Sequence, residues 1–63
     1  MDYRTAVKRF KAENPDLHKG SGIDYWTAWE RWDFWTDALC KAGEITQKQY
    51  SNWATPFEYG KRL

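Results

Sequence analysis

Between Gly22 and Gly43 lies the run IDYWTAWERWDFWTDALCKA, which holds neither proline nor glycine and repeats its large side chains at helical spacing. A helix over this run would be about 30 Å long, and the rest of a 63-residue chain has room only for shorter elements to cover it. At about 100° per residue, Tyr25, Ala28, Trp29, Trp32, Trp35 and Leu39 fall on one broad apolar stripe, with Cys40 at its edge. Thr27, Glu30, Asp33, Asp37 and Lys41 gather on the opposite side as a solvated face. The expected helix covers residues 23–42, with Ser21 or Asp24 as its cap, Lys41 in its last turn and Gly43 as a left-handed stop. Two rings break the pattern. Trp26 falls beside Asp33 and Asp37, and Phe34 falls between Thr27, Lys41 and the charged side.

Two shorter helices flank this one. Over residues 3–13, Asp2 is a suitable N-cap and Tyr3, Ala6, Val7 and Phe10 recur at i, i+3, i+4 and i+7, until Asn14-Pro15 ends the helix. The loop NPDLHKGSG follows, with Leu17 as its expected anchor in the core. A third helix over 47–54 is announced by Thr46-Gln47-Lys48-Gln49, which fits a capping box, with Ile45 and Tyr50 spaced as a hydrophobic staple. Thr55-Pro56 stops it. Phe57 and Tyr59 are free to fold back on the core, and residues 60–63 are expected to fray. The reading is an all-α, single domain over 1–63, three helices around a long Trp-rich one.

The chain carries five Trp, four Tyr and three Phe, and the core proper is expected to take Tyr3, Phe10, Tyr25, Trp29, Trp32, Tyr50 and Trp53, with Trp35 at its margin. Charge is divided along the chain. Residues 1–21 hold five cations against three carboxylates (+2), residues 22–44 two against five (−3), and residues 45–63 three against one (+2). An acidic middle between basic ends argues against one continuous polyanion-binding face. A single cysteine leaves no disulfide framework and no four-cysteine metal site, and no run approaches a membrane span. A domain this short rarely holds a substrate cleft, so the expectation is a non-enzymatic, cytosolic protein without a cofactor.

Each candidate for chemistry has a plainer alternative. His18 could act as a base or a metal ligand, yet it stands in a polar loop with no second His or Cys and reads as a solvated side chain. Glu30, Asp33 and Asp37 share a helix face and could bind a cation only if other elements converged on them. Cys40 borders the apolar stripe near a helix C-terminus, where the dipole disfavours a thiolate, and reads as small buried filler. Arg4, Lys8, Arg9 and Lys11, joined by Lys61 and Arg62, could contact phosphates. Against that, the third helix carries only Lys48 as a charge, and the longest helix is acidic. Trp26 and Phe34 among charges are the types and settings of protein-binding anchors, with Glu30, Asp33 and Asp37 as an acidic rim.

The stretch WTDALCKAGEITQKQYSNWATPF, with its K-x-G-x-I-T turn and Q-Y-x-x-W-x-x-P-F ending, resembles small uncharacterised accessory proteins encoded by tailed bacteriophages. AVKRFKAENP resembles their first helix more loosely. The resemblance implies a protein that acts in the cytoplasm of an infected bacterium by binding and modulating a host protein, and it brings no catalytic residues or ligand. A small nucleic-acid-binding regulator using Arg4, Lys8, Arg9 and Lys11 is the alternative, and a homodimer held by the spare rings is a third.

Overall fold

The computed structural model describes residues 1–63 and contains three helices and no strand: α1 (Tyr3–Glu13), α2 (Tyr25–Lys41) and α3 (Gln47–Asn52). Each helix starts on a side-chain cap that occupies one of the backbone N–H groups a helix leaves free at its start. The Asp2 carboxylate accepts from the Thr5 N–H at 2.7 Å, and Asp24 accepts from the Thr27 N–H at 3.0 Å. At α3 the capping box is complete. Thr46 Oγ1 accepts from the Gln49 N–H at 3.0 Å, and Gln49 Oε1 accepts from the Thr46 N–H at 2.9 Å. At the end of α2, Gly43 takes φ +79°, its N–H donates to Cys40 O, and the Glu44 N–H donates to Leu39 O. That pair of bonds is the Schellman stop, and the left-handed residue within it favours glycine.

Three helix ends differ from the expected 23–42 and 47–54, the smallest difference being that α2 stops at Lys41 with Ala42 as its C-cap. α2 begins at Tyr25 because its cap Asp24 takes extended backbone, φ −71° and ψ 155°, next to the Ile23 carbonyl that accepts from the Leu63 N–H at 2.9 Å. α3 ends at Asn52 because Trp53 leaves the helix, with ψ 127°, to bring its indole against Tyr3 and Trp32 at 5.6 and 6.5 Å between ring centres. The expected fraying of residues 60–63 is also corrected. Leu63 exchanges backbone hydrogen bonds with Gly22 and Ile23, and Arg62 donates to Gly22 O at 2.8 Å, so the tail is tied to the start of α2.

The core is centred on Ala6, Phe10, Leu17, Ala28 and Trp32. α3 runs close beside α2, whereas the backbone of α1 is held away from α2 by rings. Phe10 meets Trp32 and Trp35 edge-on at 5.2 and 5.3 Å, and Tyr3 meets Trp32 at 6.1 Å, geometries in which the positive ring edge faces the negative ring face. Leu17 anchors the loop, and Tyr25, Leu39 and Ile45 are also buried. Thr36 is the one buried polar residue, and its hydroxyl is satisfied by the carbonyls of Trp32 and Asp33. Cys40 is half-buried rather than enclosed, with its thiol 3.5 Å from Gln47 Oε1. The radius of gyration is 11.5 Å, slightly above the value of about 10.6 Å for a compact chain of this length. α2 sets that elongation.

Candidate functional site

The placement of Trp26 and Trp29 follows from how far α3 reaches. α3 runs back along α2 from Gly43, and Tyr50 draws level with Asp33, to which its hydroxyl donates at 3.1 Å. Two residues later the helix ends and Trp53 turns inward, so α3 stops short of the turn of α2 that carries Trp29. Trp29, expected in the core, is 39% exposed for that reason, and Tyr3, also assigned to the core, is 37% exposed with its hydroxyl on Ala54 O at 2.8 Å. Trp26 is 55% exposed, and the tail brings Tyr59, itself 76% exposed, to 5.9 Å from it. Trp26 and Trp29 lie 6.3 Å apart, and beneath them buried Tyr25 supports Trp26 at 5.1 Å and Tyr59 at 5.4 Å. Trp26 and Tyr59 rest on Tyr25 and Trp29 joins them through Trp26, so the three exposed rings make one continuous aromatic patch.

Phe34 stands apart from that patch. It is 79% exposed, but lies eight residues beyond Trp26, about 12 Å along the helix axis and about 80° around it. A shallow groove beside it runs between Thr27, Arg31, Trp35 and Ala38. The acidic rim is divided as well. Asp33 and Asp37 are half-buried rather than part of a freely solvated face: Asp33 receives the Tyr50 hydroxyl and Asp37 pairs with Lys41 at 2.9 Å. Those contacts leave a mark on the donors, since the Asp33 carboxylate holds the Tyr50 phenol above its ordinary 10.0, and Asp37 holds Lys41 above 10.5. Glu30 is exposed, forms no ion pair, and sits one helical turn after Trp26. No three His, Cys, Asp or Glu side chains converge as a metal site requires.

The cations of α1, Arg4, Lys8, Arg9 and Lys11, are all exposed and none is in an ion pair. Arg4, Lys8 and Lys11 share a stripe at three- and four-residue spacing, and Arg9 lies about 100° away from Lys8 around the helix. His18 is exposed, with Nδ1 3.0 Å from Lys19 O. Tyr59 has no pattern of its own in the sequence that would mark it, and it reaches the patch through the return of the tail, which is not periodic. No helix is long and apolar enough to cross a membrane. No protein-family model, curated protein or solved structure matches the chain.

Proposed function

We propose that the chain is a non-enzymatic protein-interaction module of tailed-bacteriophage type that binds and modulates a bacterial host protein in the host cytoplasm. The observation that carries this reading is the patch formed by Trp26, Trp29 and Tyr59. Adjacent large rings left in water forgo burial, at about 25 cal/mol per Å², and Trp and Tyr are the residues most enriched among binding anchors. Glu30 at its edge, on the acidic α2, favours a partner with an apolar pocket bordered by Lys or Arg. Phe34 is a second anchor. A partner covering about 800 Å² is wide enough to reach both. The likeness of residues 35–57 to phage accessory proteins supports the biological setting.

The test is affinity capture from bacterial lysate with the wild-type chain and with Trp26→Ala, Phe34→Ala and Glu30→Lys. A specific host protein is expected to be retained by the wild type and lost with Trp26→Ala, while helical content and melting stay close to wild type. Loss of the fold in Trp26→Ala would move Trp26 into the core and remove the basis for the reading.

The unpaired cations of α1 favour a second reading, a nucleic-acid-binding regulator. It requires an affinity for generic duplex or single strands that falls steeply with salt, and the absence of binding at low salt eliminates it. Self-association through the same rings requires a mass that rises with concentration in sedimentation.

A further inference from the structure

The end of α1, the loop after it and the tail border a half-open cleft of about 560 Å³ that shares no residue with the aromatic patch. The volume lies within the range of about 300–1,000 Å³ typical of small-molecule sites. Leu17, Phe57 and Leu63 give it an apolar lining, and Lys11, Lys19, Lys61 and Arg62 stand around it. Glu58 is the one acidic side chain there. A carboxylate carried by Leu63 would still leave an excess of two positive charges.

The cations converge from three segments: Lys11 from α1, Lys19 from the loop, and Lys61 with Arg62 from the tail. Bringing like charges together opposes folding, and the fold gives a partner to only two of the four. Lys11 and Lys19 make no ion pair. Lys61 pairs with Glu58 at 3.1 Å, but both side chains are exposed and water weakens the attraction. Arg62 commits one nitrogen to Gly22 O, and the remaining donors of its guanidinium are open to a planar or tetrahedral oxyanion.

A ligand matching this cleft needs two or more negative charges for the surrounding cations and a flat apolar body for the lining that Leu17, Phe57 and Leu63 provide. We infer that the cleft binds a nucleoside polyphosphate, with its phosphates among Lys11, Lys19, Lys61 and Arg62 and its base against Phe57. Aromatic rings accept the face of any base, so the base needs no dedicated hydrogen-bonding partner.

The experiment is a heteronuclear NMR titration of the intact chain with ATP at low salt. Saturable shifts confined to residues 11–19 and 56–63 are expected, with a Kd below about 1 mM. Lys11→Gln with Lys19→Gln should keep the wild-type spectrum and weaken ATP at least about tenfold, whereas Lys48→Gln on α3 should leave it within about twofold. Adenosine and inorganic phosphate, each holding half of the recognition, should bind at least about tenfold more weakly than ATP. The inference is overturned by a linear, unsaturated response to ATP, or by adenosine or phosphate equalling it. Equal weakening of ATP by Arg4→Gln with Lys8→Gln also overturns it, assigning the affinity to a diffuse charge on α1. Tighter binding of an oligothymidylate strand than of ATP does the same in favour of strand binding.

Discussion

Trp32 meets four other rings, Phe10, Trp35, Tyr3 and Trp53, at 5.2 to 6.5 Å. Truncating such a ring costs about 3–5 kcal/mol, while a domain of this size holds about 3–9 kcal/mol in all. Trp32→Ala is therefore expected to abolish cooperative thermal unfolding in circular dichroism. Trp26→Ala, which removes a ring of comparable size from the surface, should keep the transition. Tyr50 gives a second residue-level prediction. Its phenol donates to Asp33, which raises its pKa, so the contribution to stability is complete below the ordinary value of 10.0 and is lost as pH rises through the raised value. Tyr3 is raised too, by burial. Alkaline titration by ultraviolet absorbance should show two late phenols in the wild type and one in Tyr50→Phe, and the variant should lose part of the steep alkaline fall in stability.

At the scale of elements, the three starts are independent of one another and can be tested separately. Thr46→Ala removes the cap of a six-residue helix and should cost about 1 kcal/mol in denaturant unfolding. Asp2 and Asp24 are carboxylate caps whose pKa values lie below the ordinary 3.8, chiefly because backbone N–H groups of Thr5 and Thr27 donate to them. Their stabilisation is complete above about pH 4 and disappears as pH falls through the lowered values. Asn caps about as well as Asp, so Asp24→Asn should match the wild type at neutral pH and lose less stability on acidification. The starts of α1 and α3 were legible in the sequence because each capping bond spans three residues, whereas for α2 the sequence left Ser21 and Asp24 both open as caps and began the helix two residues early. The Gly43 stop was legible too, since its bonds span at most five. Trp29 was not legible, because its exposure depends on where α3 stops, and that depends on Trp53 finding Tyr3 and Trp32 across the fold. Of the candidate site, the sequence marked Trp26 and Phe34 as surplus rings through their helical phase. It could not show that Tyr59 joins the first and leaves the second alone, nor that Tyr50 and Lys41 occupy the carboxylates of Asp33 and Asp37.

For the whole molecule, both ends of the chain are stitched to its middle. Gln49 Nε2 donates to Met1 O at 2.8 Å, and Leu63 exchanges bonds with Gly22 and Ile23. Chain ends usually fray, and here the two ties restrain α3 and the entry to α2. The second tie also serves both surfaces, since the tail places Tyr59 on the aromatic patch and Lys61 and Arg62 at the basic cleft. Residues 59–63 contain no helix, so their removal should spare most of the far-ultraviolet signal of α1, α2 and α3. In the terms of an exopeptidase, the tail is a substrate only while its Leu63 bonds are open. Carboxypeptidase trimming followed by mass spectrometry should therefore be slow and strongly temperature-dependent, and each residue it removes shortens the one segment that both surfaces share.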